Sequence, residues 1–393
     1  MRPRQLEVAT MLVNPSTPDH VIACLRTSYG KSHIMKVVGT FMKGFIFIFI
    51  PLLTLSADVQ SKFERANQQY GRVRVFHLDE LYDDAREKYQ AFLGLCRSSK
   101  RSSRNTNFVF LSPQFLVNHP DALAAVLHTA SEQTLRLVVM DEAHLHVQHG
   151  ESFRVECRAL VQVFFRPVFH PPPPRVCSVL SLFTSATIPQ PYVPSLARLT
   201  TLRFPPEAIV RGSPAEFEQR EIRMMQQVVN KNDYVKLGLE KVVDFFRESA
   251  EGKAVVFTNS KLRSFTHARA LERKIDEAKL SAHVDIFHVH GSLLKTEKFW
   301  RIRLFCDPPD GNVVDANIRG LVGTNAVNVG IDDRLIEFVE RFEFARDLLT
   351  AFQEQGRGSR LRGMASVMMF MCCLRSFDFL MRGYLSSSTE LEA

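Results

Sequence analysis

No Cys-x-x-Cys pair occurs among the seven cysteines, Cys24, Cys96, Cys157, Cys177, Cys306, Cys372 and Cys373, and their number is odd. That excludes a disulfide framework and a structural zinc of the usual spacing, and it points to a reducing compartment. The chain also lacks an apolar run of about 20 residues, the length a bilayer requires. Its longest candidate, residues 44–55 (GFIFIFIPLLTL), is short and is broken by Pro51. Such a run reads as a buried parallel strand. The start, Met-Arg-Pro-Arg-Gln, has no apolar core of a secretory signal. These absences predict a protein that is neither secreted nor inserted in a membrane. Acidic residues are in deficit, 42 against 50 Lys and Arg, which leaves a net charge of +8. An excess of that size favours a polyanionic partner, nucleic acid being the commonest, although a merely solvated basic surface would share it. With 45% apolar and 23% charged residues, the composition is that of a globular protein.

Short apolar runs at 21–25, 45–50, 108–111, 135–140, 179–183, 254–258, 284–288 and 318–323 read as strands, most of them separated by helix-length segments. The rhythm predicts an α/β fold with parallel sheets and helical crossovers. Pro205, Pro206, Gly212 and Pro214 mark a linker. The expected division is therefore a first domain over 1–205, a linker over 206–232, a second domain over 233–373 and a tail over 374–393. Residues 170–174 (HPPPP) read as a stiff surface loop. The basic stretch 97–104 (RSSKRSSR) reads equally well as a phosphate contact or a mobile surface loop.

After the first strand comes Arg26-Thr27-Ser28-Tyr29-Gly30-Lys31-Ser32. A phosphate-cradling loop needs a tight strand-to-helix turn, a lysine for the terminal phosphates and a hydroxyl for Mg²⁺. Gly30, Lys31 and Ser32 meet those needs, while Leu25 stands where the general pattern has its first glycine. About 110 residues later an apolar strand ends in Asp141-Glu142-Ala143-His144. There Asp141 is placed to hold Mg²⁺ and Glu142 to polarise an attacking water. His144, His146 and His149 superficially suggest a metal site, but Asp-Glu-Ala-His is already a complete motor motif, and no carboxylate or cysteine partner for a metal is evident beside them.

Together with Thr184-Ser185-Ala186-Thr187, this box resembles motifs II and III of superfamily 2 helicases. Gln148, Gly150, Phe153 and Arg154 resemble the aromatic-rich loop of the RecQ helicases, with His149 where that family has tryptophan. Arg2-Pro3-Arg4-Gln5 resembles motif 0, residues 51–60 motif Ia, and Leu111-Ser112-Pro113-Gln114 motif Ib. In the second half, Val255-Val256-Phe257-Thr258 resembles motif IV and His288-x-His290-Gly291 the strand end that follows it. Residues 323–332, opening with Gly323-Thr324, resemble motif V, and 353–363, from Gln353 through Arg357 and Arg360, motif VI.

The resemblance implies two tandem RecA-like domains with parallel sheets, the core of a P-loop NTPase helicase. It implies ATP as substrate with Mg²⁺, and translocation on single-stranded DNA with unwinding of duplex DNA, 3′ to 5′ by family. Gln5, Thr27, Ser28, Gly30, Lys31, Ser32 and Asp141 are expected at the nucleotide. Glu142, Gln353, Arg357 and Arg360 are expected in catalysis. Arg357 and Arg360, three apart on one helical face, would meet the γ-phosphate. Ser112, His149, Phe153, Arg154, Thr258 and Thr324 are expected to contact DNA. The family implies a nuclear location in a eukaryote and a cytoplasmic one otherwise. The chain ends where RecQ proteins usually continue into zinc and winged-helix segments. An RNA-directed ATPase of the same superfamily and a non-catalytic nucleic-acid-binding remnant remain alternative readings of these residues.

Overall fold

The computed structural model describes residues 1–26, 29–50, 63, 73–78, 85–98, 104–149, 159–174, 177–186, 188–213, 222–230, 232–306, 317–327, 331, 333, 335–343, 345, 348–358 and 366–373. The chain forms two compact units, Met1–Glu218 and Gln219–Ala393.

The first unit is built on seven strands: β1 (His20–Cys24), β2 (Gly44–Phe49), β3 (Val73–His77), β4 (Thr106–Leu111), β5 (Leu135–Met140), β6 (Leu180–Ser185) and β7 (Ile209–Arg211). They lie in the order β3-β4-β2-β5-β6-β1-β7, each parallel to its neighbours. The apolar run at residues 44–49 is the interior strand β2, and all six of its residues are buried. Phe45, Phe47 and Phe49 join one core cluster and Ile46 and Ile48 the other. A sheet covered on both faces needs such an unbroken apolar run, which is why the segment could pass for a membrane span. No helix among the described residues is long and apolar enough to cross a membrane.

The second unit holds β8 (Ile222–Val229), β9 (Lys253–Phe257), β10 (Asp285–Val289), β11 (Ile318–Gly323), β12 (Ile336–Phe342) and β13 (Ser366–Cys373). Their order is β10-β11-β9-β12-β13-β8, again parallel throughout. All eight runs read as strands are strands. Five more were not foreseen: β3, β7, β8, β12 and β13. Two of these occupy the segment expected as a linker. After Pro205 the chain makes one 3₁₀ turn, Pro206–Ala208, and then pairs with β1 as β7. Strand β8 pairs with β13 over eight residues. The prolines hid a three-residue strand, and β8 is largely exposed on both faces, so it carries no alternation to detect.

Candidate active site

In a parallel sheet the loops after the strands gather at the carboxyl edge, and strand order decides which loops meet. Cys24 of β1 stands beside Ser185 of β6, and Phe183 of β6 beside Met140 of β5. The Gly30 turn, the Thr184-Ser185 segment and Asp141-Glu142 are thereby brought to one rim, although 110 residues separate the first from the last.

Gly30 precedes the helix α2 (Lys31–Phe41) with φ +88, a left-handed conformation. Glycine adopts it without the clash a Cβ would bring. Gly30 lends no capping side chain to the first turn of α2, where the His33 amide donates to the Gly30 carbonyl at 3.0 Å; the Lys31 and Ser32 amides before it have no intrahelical acceptor and can face an anion. Gln5, buried in the first helix α1 (Pro3–Val13), holds this turn from behind. Its Nε2 donates to the carbonyls of Tyr29 (2.8 Å) and Gly30 (3.1 Å), and its Oε1 accepts from the Arg2 amide (2.7 Å). A Cβ on Gly30 would lie 2.4 Å from that Nε2. The Arg2 guanidinium sits over the Tyr29 ring at 5.0 Å. Tyr29, bulky where the family prefers a small residue, is packed into the core, only 5% exposed.

Asp141 begins the turn after β5. Its Oδ1 accepts a hydrogen bond from the Thr184 hydroxyl at 2.6 Å. Burial and the neighbouring Glu142 carboxylate raise the Asp141 pKa, while the Lys31 ammonium and the Thr184 hydroxyl oppose that rise. The Lys31 charge is therefore close enough to act on Asp141, although Nζ also donates to the Leu25 carbonyl (3.4 Å). Glu142 has φ +48, a conformation that costs a residue with a Cβ on the order of 1–2 kcal/mol. Strain of this kind is typical of functional turns. The Glu142 carboxylate lies 3.3 Å from Nδ1 of the buried His144 and 3.5 Å from the Ser185 hydroxyl, and Ser185 Oγ is 2.6 Å from the same nitrogen. The backbone closes the arrangement, with Ala143 N–H donating to the Thr184 carbonyl at 2.9 Å. Asp-Glu-Ala-His and Thr-Ser-Ala are thus one bonded unit. Ser32, half-buried in the first turn of α2, and the Asp141 carboxylate have the hard-oxygen chemistry that suits Mg²⁺.

The other expected site residues are more scattered. Ser112 follows β4, and its hydroxyl accepts from the Phe115 amide at 3.0 Å, capping the helix Pro113–Asn118. In the second unit, Thr258 and Thr324 follow the adjacent strands β9 and β11, with the Thr258 amide donating to the Gly323 carbonyl (2.8 Å). Gln353 lies on the helix Leu348–Gln355. The helix ends at Gln355, so Arg357 stands in the turn beyond it and not on the helical face expected; it is buried, and its Nη1 donates to the Ile331 carbonyl at 2.8 Å, tying motif VI to motif V inside the second unit. Thr27, Ser28, Phe153, Arg154 and Arg360 lie outside the described residues, as does the side chain of His149. Motif Ia at 51–60 does too.

Sequence reasoning overlooked Arg341 and Glu354. They form a fully buried ion pair at 2.8 Å that joins β12 to the motif VI helix, and Arg341 also donates to Asn259 after β9. Glu354 stood within the motif VI match, but no spacing rule pairs it with a strand residue 13 positions earlier.

Residues 2–193 match the family model described as DEAD/DEAH box helicase. No curated protein sequence matches the chain. Among solved structures the chain is similar to S. cerevisiae Dbp5 bound to RNA and ADP BeF3, with a TM-score of 0.65 and 14% identity, covering 97% of this chain and 86% of that one. It is similar to Mycobacterium smegmatis Lhr bound to ssDNA and AMP-PNP, with a TM-score of 0.65 and 15% identity, covering 94% of this chain and 45% of that one. It is also similar to the DUF1998 helicase MrfA bound to DNA, with a TM-score of 0.67 and 14% identity, covering 95% of this chain and 49% of that one. The chain thus spans less than half the length of Lhr and MrfA. At these identities the likeness shows the fold, which is that of tandem RecA-like helicase domains.

Proposed function

We propose that this chain, whose residues 2–193 match the DEAD/DEAH box helicase family model, is an ATPase stimulated by single-stranded nucleic acid and a RecQ-like motor acting on DNA. The observation that carries the nucleotide reading is the strand order β5-β6-β1, which brings the Gly30-Lys31 turn and Asp141-Glu142 to one rim of the first sheet, with the Thr184 hydroxyl bonded to Asp141. The Lys31 side chain and the Lys31 and Ser32 amides bind the phosphates, and Gln5 keeps the turn in shape from behind. Ser32 and Asp141 hold Mg²⁺, which when bound neutralises charge on the β- and γ-phosphate oxygens. Glu142, held by Ser185 and His144, orients the attacking water and accepts its proton. Arg357 and Arg360 are assigned to motif VI as balancing charges for the transferred phosphoryl group.

DNA is favoured by Gln148, Gly150, Phe153 and Arg154, which resemble the RecQ loop. Ser112, His149, Phe153 and Arg154 in the first unit, and Thr258 and Thr324 in the second, are assigned to the strand. RNA is the second reading, supported by fold similarity to Dbp5, a protein solved with RNA. The deciding measurement is ATP hydrolysis alone, with oligo(dT) and with oligo(U), on the parent, Lys31→Ala and Glu142→Gln. Stimulation by oligo(dT) that Lys31→Ala abolishes is expected. Glu142→Gln should still bind ATP while turning over about a hundredfold more slowly. Stimulation by oligo(U) alone would transfer the motor to RNA, and turnover no higher than in Lys31→Ala would remove the enzymatic reading.

A further inference from the structure

Strand β10 is an edge of the second sheet, and the helices Lys261–Glu277 and Lys295–Cys306 both pack on it. These two helices expose three large apolar side chains, Leu262, Phe265 and Trp300, and Leu294 just before the second helix is exposed as well. The second helix reads KTEKFWRIRLFC, four cations against one acid. Arg301 is engaged by Glu297 (2.5 Å) and by the His288 carbonyl (2.7 Å). The Phe265 ring meets His288 edge-on at 5.3 Å, and the Arg301 guanidinium reaches the same imidazole at 3.1 Å, so an aromatic ring from one helix and a cation from the other meet at β10. Trp300, 51% exposed, carries the Arg303 guanidinium over its ring at 5.5 Å. One indole face is thus covered by a cation, while half the side chain remains open to water.

Exposed apolar residues scattered singly need no explanation, but aromatic rings set among cations are how proteins hold unpaired nucleotides. The rings stack on bases and the cations meet phosphates. The place in the fold also suits this role. Strands β10, β11 and β9 are neighbours, so the helix Lys295–Cys306 starts just beyond the rim that carries Thr324 and Thr258. Trp300 lies five residues into it, about 8 Å along the axis. We propose that the β10 flank formed by Phe265, His288, Trp300 and Arg303 is a base-stacking platform for single-stranded nucleic acid, taking the nucleotides that continue past Thr324 and Thr258. This rests on the reading of the chain as a nucleic-acid-binding motor. The cationic setting favours a polyanion over an apolar protein partner.

Trp300 is the single tryptophan of the chain, so its emission reports this site alone. The full chain is titrated with oligo(dT) of 20 nucleotides, following tryptophan emission and, with a labelled copy of the same oligonucleotide, anisotropy. The expected result is quenching that saturates together with the anisotropy. Trp300→Ala should bind about fivefold more weakly or worse, the lower end of what base stacking contributes, and Trp300→Phe should recover most of the loss. Unchanged emission while anisotropy rises, or parental affinity in Trp300→Ala, overturns the platform but leaves the motor reading intact. In that case the ring is left to a protein partner. No rise in anisotropy and no stimulated ATP turnover would overturn both.

Discussion

Gln5 is bonded to the turn that the sequence motif places at the phosphates. The resemblance expects its amide at a nucleotide, and the structure shows the same amide bonded to the phosphate-loop carbonyls of Tyr29 and Gly30. Each such bond contributes about 0.5–1.5 kcal/mol. Gln5→Ala is therefore expected to raise KM for ATP by roughly five- to tenfold while leaving kcat within about twofold, which steady-state kinetics can resolve. An unchanged KM would show that the turn holds its shape without Gln5. The motif itself was legible in sequence, because glutamine three residues after Arg2 is a local pattern. Its partners were not, since they lie 24 and 25 residues away.

At the scale of the element, β12 is instructive because its sequence, IEFVERF, conceals a core strand. Phe338 and Phe342 join one core cluster and Val339 the other, and Glu340 and Arg341 between them are fully buried. Arg341 has Glu354. Both Glu340 oxygens lack a hydrogen-bond partner among the described residues, and Oε1 lies only 2.3 Å from where a Cβ on Gly238 would stand. Burial drives the Glu340 pKa well above the usual carboxylate range, and the exposed Lys241 only partly opposes this. The sign follows from linkage. A carboxyl whose folded pKa is raised keeps its full contribution below its unfolded pKa near 4.3, and loses it as pH rises toward the folded value. The second unit should therefore weaken from about pH 4 upward through this one group. Glu340→Gln keeps the shape and removes the charge. Its unfolding midpoint at pH 7.5 should exceed the parent's by roughly 2–4 °C or more, with the gap closing toward pH 4. Equal midpoints across that range would mean that the carboxyl finds a partner. Charges at three of seven positions masked the strand because alternation rules assume that charged residues face water.

For the whole molecule, the net charge of +8 and the cationic helix beside β10 predict that single-strand affinity falls steeply with salt. For six to ten phosphate contacts the loss between 50 and 200 mM salt would be about 10³–10⁵-fold, and each phosphate contact removed should reduce the slope of log K against log salt. A flat response in an anisotropy titration would mean that phosphate contacts do not dominate binding. The two-unit plan was also legible at this scale, since apolar runs at strand spacing divided by helix-length segments leave few alternatives to parallel sheets. The edges of the plan were less so. Strands β7 and β8 fall inside the expected linker because a short strand beside prolines and a strand exposed on both faces leave no periodic trace.

Local chemistry, written in consecutive residues, was determined by the sequence itself. It includes the Gly30-Lys31-Ser32 turn, the carboxylate pair closing β5, and the all-apolar β2 that reads as a strand buried on both faces. Proximity was decided by the tertiary structure alone. Asp141 comes under the influence of Lys31 because β5, β6 and β1 lie side by side in an order unlike their order in the chain. Thr184 reaches Asp141, and Ser185 reaches His144, for the same reason. A motif is local in sequence, whereas a site is local in space, and in a parallel sheet the strand order alone converts one into the other.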